Sequence, residues 1–352
     1  MKISTCLTAA LLALMAVGAT GTSATEHILT LASGRANDAL TILADGKVET
    51  KVELGCQTIY GIREKAIHVL SATKIDGKLK RTLQAIDCHT GKSLRQIDIN
   101  VPYQAWLGGP DEQIVVGETG QYFLISVEDL GEAQGHRKNF SLAIVDGDTG
   151  AAELVPLPAG FNSPRLLKIP DGVAIYGWAN SGLYYYNTSS KSLATVVPPG
   201  LEPEGKRYGM GAKSQSEVFR WNSKGQVEWF ELKDGKLTPG KVLYLDASPS
   251  WVITSTFHGT PALICGIKSG KEEMVLLAHD AALDKELARV DAPLCASRAP
   301  RSLSSNANLL LNDFDGHVWR MSLSDLSVHE LVKVPPEVAP YPPEIRVIQL
   351  SE

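Results

Sequence analysis

Leu83-Gln84-Ala85-Ile86-Asp87, then Cys88-His89-Thr90-Gly91-Lys92, then Ser93-Leu94-Arg95-Gln96-Ile97-Asp98-Ile99 read as a strand, a tight turn and a returning strand. The flanks are apolar at largely alternate positions, the period of a pleated strand with one buried face. The centre supplies turn chemistry: an Asp whose carboxylate can accept bonds from the backbone ahead of it, and a Gly that tolerates left-handed backbone.

The same shape returns along the chain. It occurs at Leu142–Asp146 with Ala152–Leu157, Leu183–Tyr186 with Leu193–Val197, and Val227–Leu232 with Lys241–Leu245. It recurs at Met274–Ala278 with Glu286–Val290 and at Val318–Leu323 with Val328–Val334; an earlier copy is Ala39–Leu43 with Val48–Leu54. The turn centres fall near residues 45, 89, 148, 189, 234, 282 and 325, with spacings of 44, 59, 41, 45, 48 and 43. A period near 45 residues with four short strands per unit predicts an all-β, seven-bladed β-propeller.

An earlier pair of strands is legible in the second, third, fourth and sixth units: Gln57–Ile62 and Ala66–Ala72, Gln113–Gly117 and Tyr122–Val127, Arg165–Ile169 and Val173–Trp178, Trp251–Phe257 and Ala262–Ile267. Helical periodicity is confined to short stretches, so helices are expected to be minor. The first unit offers three strands, His27–Ala32, Ala39–Leu43 and Val48–Leu54. After a Pro-rich connector, 335–343, the chain ends in the alternating segment Glu344–Leu350. Ile345–Leu350 is therefore expected beside the first unit, closing the ring and removing open sheet edges.

Lys2, the apolar run Cys6–Val17 and Thr22-Ser23-Ala24 form a secretory pattern with cleavage after Ala24, leaving one domain over 25–352. No later stretch reaches the roughly 20 apolar residues of a membrane-spanning helix. The expected location is the periplasm, with secretion to the exterior as the alternative. The 34 basic residues less Lys2 leave 33 against 39 acidic ones, with no basic stripe. A nucleic-acid partner, which needs clustered cations, is disfavoured.

Four cysteines follow the leader: Cys56, Cys88, Cys265 and Cys295. In an oxidising compartment they are disulfide candidates with three possible pairings, and buried free thiols are the alternative. The local pairing Cys56–Cys88 and Cys265–Cys295 would close loops of about 30 residues, each contributing roughly 3–4 kcal/mol in the chain-entropy picture.

The wide second spacing holds a polar, Gly-containing insertion, Glu128–Lys138. Glu128, Asp129, His136, Arg137 and Lys138 are its binding-loop candidates, since long loops on regular scaffolds often bind; a solvated excursion is the plainer reading. Asp146-Gly147-Asp148-Thr149-Gly150 and Asp313-Phe314-Asp315-Gly316 look like calcium-loop fragments but lack the distal carboxylate, so turn chemistry is preferred. The eight His residues include no metal-ligand spacing, and there is no nucleophile elbow or phosphate loop. Tyr184-Tyr185-Tyr186 after Trp178 reads as a ligand platform or, more simply, as packing, with Tyr184 and Tyr186 on one strand face and Tyr185 on the other. Trp221 and Trp229 read as packing too. No catalytic, metal or cofactor-binding residue is named.

The strand–Asp-x-x-Thr-Gly–strand repeat, as in Ile86-Asp87-Cys88-His89-Thr90-Gly91 and Val145-Asp146-Gly147-Asp148-Thr149-Gly150, resembles the quinone- and amine-dehydrogenase-type (YVTN-like) seven-bladed propellers. The opening strand His27-Ile28-Leu29, the excursion in the third unit and the closing Ile345-Arg346-Val347-Ile348 make the layout most similar to quinohemoprotein amine dehydrogenase β subunits. The resemblance implies a non-catalytic propeller subunit of an amine-oxidising complex that binds no cofactor itself, with quinone and haem carried by protein partners. Two other classes stay open: a stand-alone ligand- or protein-binding propeller, and a propeller lyase, lactonase or hydrolase working at the central tunnel.

Overall fold

The computed structural model describes residues 27–32, 38–44, 47–55, 59–63, 66–75, 78–87, 90–99, 104–105, 114–130, 138–159, 161, 163–177, 181–200, 208–212, 217–246, 248–268, 273–280, 282, 285–293, 308–312, 317–333 and 346–350. Among them there is no α-helix, and the strands form seven antiparallel sheets.

The first sheet holds β1 (His27–Ala32), β2 (Asp38–Ala44) and β3 (Lys47–Gly55). The second holds β4 (Ile59–Arg63), β5 (Ala66–Ile75), β6 (Lys78–Asp87) and β7 (Ser93–Ile99). In the third, β8 (Gln104–Ala105) and β9 (Ile114–Val116) pair with different stretches of β10 (Tyr122–Asp129), followed by β11 (Lys138–Val145) and β12 (Ala152–Pro156). The fourth is β13 (Arg165–Ile169), β14 (Gly172–Tyr176), β15 (Leu183–Asn187) and β16 (Ser192–Val197). The fifth is β17 (Tyr208–Ala212), β18 (Glu217–Asn222), β19 (Gln226–Lys233) and β20 (Lys236–Tyr244). The sixth is β21 (Pro249–Phe257), β22 (Thr260–Lys268), β23 (Glu273–Asp280) and β24 (Lys285–Pro293). The seventh is β25 (Asn308–Asn312), β26 (His317–Ser322) and β27 (Val328–Lys333). The last strand, β28 (Arg346–Leu350), pairs antiparallel with β1, giving the order β28-β1-β2-β3.

In the second, fourth, fifth, sixth and seventh sheets pairing follows chain order. Local hairpins need little loop-closure entropy, which is why the turn residues carry so much of the topology. In the Asp-x-x-Thr turns the Asp caps its own turn: Asp87 Oδ1 accepts from the Thr90 amide at 2.7 Å and the Thr90 hydroxyl at 2.8 Å. Asp146 does the same with Thr149, at 2.7 Å for both. Asn187 takes the role with Ser190, accepting at 2.9 and 3.1 Å. The fragment 146–150 is thus a turn, as its spacing predicts; 313–316 lies outside the described residues.

The core lies between sheets, and strand alternation assigns each side chain to one neighbour or the other. Ile114, Leu124 and Val145 of the third sheet pack on Leu70 and Leu83 of the second, while Val115, Phe123 and Leu142 pack on Leu166, Ile175 and Tyr184 of the fourth. Tyr185 faces the other way, against Val218 and Phe230 of the fifth sheet. Trp221 and Trp229 of the fifth sheet share a core with Trp251 and Leu263 of the sixth and Met321 of the seventh. The tyrosine triplet and both tryptophans are therefore packing residues, each such burial contributing roughly 2–3 kcal/mol. The Trp251 indole lies so close over Gly266 that a Cβ there would sit 2.2 Å from its Cε2. The second and third strands are the most buried, as in β15 and β18, whereas β7, β12 and β16 are largely exposed.

Candidate functional site

Two clefts open between neighbouring sheets, both beside the turns that join a sheet's first strand to its second and its third to its fourth. The first, of about 520 Å³, lies between the third and fourth sheets. Its apolar floor is Phe123, Ile144, Ile169 and Tyr186, with the Phe123 and Tyr186 rings tilted at 6.1 Å.

Four turns form its mouth. In the β9–β10 turn, the Gly117 amide donates to the Gln121 carbonyl at 2.8 Å. After β11, the Gly150 amide donates to the Asp146 carbonyl at 2.9 Å. Asp171, at φ 56°, turns the chain between β13 and β14, and its carbonyl accepts from the amide and the hydroxyl of Thr188, both at 2.8 Å. Lys191, at φ 49°, closes the β15–β16 turn. The left-handed backbone is tolerable at Asp171, whose short polar chain suits it, and is more strained at Lys191.

Glu118, Asp146, Glu153 and Asp171 line this cleft together with Lys168 and Lys191. The Thr149 hydroxyl and the Thr149 and Asp148 amides hold the Asp146 carboxyl below the usual carboxylate range. Burial, helped by the Glu153 charge, pushes the Tyr186 phenol up, so it stays protonated and able to donate. The lining can hold a small polar ligand through fixed charges and one phenol. It contains neither His nor Cys among the described residues.

Glu128 and Lys138 of the insertion do not line it. Register runs from Tyr122 opposite Val145, at the cleft end, to Asp129 opposite Lys138 at the other end of the same hairpin. Glu128, Asp129 and Lys138 are thus paired strand residues rather than loop residues, and Asn139 Nδ2 donates to Glu128 Oε2 at 3.3 Å. His136 and Arg137 lie outside the described residues. Of the cysteines, Cys265 is a free thiol, fully buried in β22 with its pKa pushed well up by burial; Cys56, Cys88 and Cys295 lie outside the described residues. Among those residues no group of three or more His, Cys, Asp or Glu side chains is placed to hold a metal ion, and no helix is long and apolar enough to cross a membrane.

The second cleft, of about 460 Å³, lies between the fifth and sixth sheets. Sequence reading missed both clefts because each is assembled from residues of two sheets that are far apart in the chain. The one local signal was the acidic or hydroxyl residue at each turn.

The sequence matches no family model, and no curated protein matches it. Solved structures do. The chain is similar to dihydro-haem d1 dehydrogenase NirN in complex with DHE, at 11% identity and TM-score 0.54, over 88% of this chain and 64% of that one. It thus spans less than two thirds of that protein's length. It is also similar to apo AztD from Citrobacter koseri, at 9% identity and TM-score 0.52, over 93% of this chain and 98% of that one. A functionally unknown protein from Desulfotomaculum acetoxidans aligns at 11% identity and TM-score 0.57, over 92% and 99%. Identities this low carry fold and nothing further. The chain is a β-propeller.

Proposed function

We propose that the seven sheets are the blades of one ring, closed where β28 joins β1, and that this ring is an exported scaffold subunit of an amine-oxidising oxidoreductase complex. In this reading the leader, 1–24, directs the chain to the periplasm. The propeller binds no cofactor, and protein partners carry quinone and haem. The observation that carries it is the pairing of Arg346–Leu350 with His27–Leu31, which joins both chain ends in one sheet. β25 also runs beside β28, and β3 beside β5, as neighbouring blades would. A ring without open edges is a rigid platform on which other subunits can dock. The Asp-x-x-Thr-Gly turns supply the family likeness.

Purification from the native source, with mass spectrometry of the co-eluting chains and an absorbance scan, tests this. The expected result is a haem-containing partner and a mature N-terminus at Thr25. A colourless monomer would overturn the complex. A second reading, a ligand-binding propeller acting alone, is favoured by the two inter-sheet clefts, and the same purification would give that lone monomer.

A further inference from the structure

We infer that the cleft between the fifth and sixth sheets is a binding site for a small neutral polyhydroxylated ligand, a saccharide of one or two rings. The inference does not depend on whether the chain works in a complex, because every residue it uses belongs to this chain.

The lining has a composition suited to that class. Thr254, Ser255 and Thr256 at the end of β21 and Thr260 at the start of β22 line the cleft, with Thr254 and Thr256 on one face of the strand and Ser255 on the other. A hydroxyl donates once and accepts twice, so such a set can meet ligand hydroxyls in either role. Asp280 adds a carboxylate. It is 5% exposed, and its Oδ1 accepts from the Ala282 amide at 2.8 Å, which holds it against the β23–β24 turn. A fixed carboxylate is the strongest acceptor available to ligand O–H groups.

Charge and polarity select among ligands. Asp280 and Lys241 give this cleft one acidic and one basic residue, where the first cleft is lined by four acidic and two basic ones. Neither a cation nor an anion is favoured by that balance. The remaining wall is apolar: Leu263, Ala262 and Pro261, backed by the Trp229 indole. Lys241 Nζ sits 5.5 Å from the Trp229 ring centre and Phe219 packs 5.1 Å away, so the indole is held in place from two sides. Apolar C–H faces of a sugar ring suit such a wall while its hydroxyls engage the polar rim. At about 460 Å³ the cleft is within the usual range for small-molecule sites.

The test is calorimetric titration of the purified full chain with glucose, maltose, N-acetylglucosamine and myo-inositol, with tryptophan emission followed in parallel. Saturable binding of at least one neutral probe is expected, with Kd of about 1 mM or tighter. Asp280→Asn should weaken it about tenfold. Because Asp280 also caps a turn, the double variant Thr256→Ala/Thr260→Ala, on the rim, carries the test independently; it should fold normally and weaken binding by a similar factor. Glu153→Gln in the other cleft should leave binding unchanged. Absence of saturable binding by all four probes, unaltered affinity in the double variant, or tighter binding of gluconate or spermidine than of any neutral probe would overturn the assignment.

Discussion

Arg220 and Glu228 face each other across β18 and β19 as register partners, with Nη2 2.5 Å and Nε 2.6 Å from the same carboxylate oxygen. Their side chains are only 5% and 16% exposed, and the guanidinium also lies 5.6 Å from the Phe230 ring centre. An ion pair this buried is costly to break and cheap to replace as a unit. Glu228→Ala should lower unfolding free energy by about 3–5 kcal/mol. Arg220→Met/Glu228→Leu should lie within about 1 kcal/mol of the parent, or above it. Urea denaturation of the three proteins decides; equal losses in both variants would show that the pair stabilises in its own right.

Two glycines with left-handed backbone separate strain from crowding. Gly120, at φ 85°, has open space around its missing Cβ, whereas at Gly150, φ 73°, a Cβ would meet the Asp98 carbonyl oxygen of the neighbouring sheet at 2.0 Å. Gly120→Ala should cost about 1–2 kcal/mol, the price of left-handed backbone alone. Gly150→Ala should cost clearly more, because backbone of two sheets must move apart. Thermal unfolding midpoints that fall equally would refute the close approach.

The acid limb of stability should report the turn carboxylates. Hydrogen bonds from the Thr149 hydroxyl and amide hold the Asp146 pKa down, and those from the Ser327 amide and hydroxyl do the same for Asp325. A carboxyl with a depressed folded pKa stabilises the fold above its unfolded pKa, and that contribution disappears as pH falls through the folded value. Thr149→Val should therefore be less stable than the parent at neutral pH. The gap should begin to narrow as the pH falls to about 4, the ordinary Asp range, and should close only below the depressed folded value. A gap independent of pH would assign the loss to packing instead.

Cys265, fully buried and with its thiol pKa pushed up, should resist alkylation in the native protein at mildly alkaline pH. Unfolding in urea without reductant should expose it to immediate labelling, read by peptide mass. Labelling only after reduction would mean that it is disulfide-bonded.

The strands that were legible in the sequence are those with clear apolar alternation beside turn residues. Ser93–Ile99 and Arg165–Ile169 coincide with β7 and β13. The first pair of the fifth unit was not legible. In β17, Gly209 and Gly211 look like turn residues, yet they are strand residues left without a Cβ because the Trp221 and Phe219 rings lie over them. In β18, Arg220 interrupts an apolar run and is buried only because Glu228 is opposite. β8, two residues long, is too short to show a period and exists by pairing with Ser126 and Val127.

The sequence alone determined an all-β chain of repeated hairpins with Asp- and Thr-capped turns, because strand alternation and turn chemistry are local and act within a few residues. It also determined that Tyr184 and Tyr186 part company with Tyr185, since a pleat leaves no other choice. Only the tertiary structure decided which sheets those faces meet, that Glu128, Asp129 and Lys138 belong to a hairpin away from the clefts, and which turns gather into each cleft. Those outcomes depend on contacts between residues tens of positions apart, where side-chain volume and paired charge, rather than local pattern, select the arrangement.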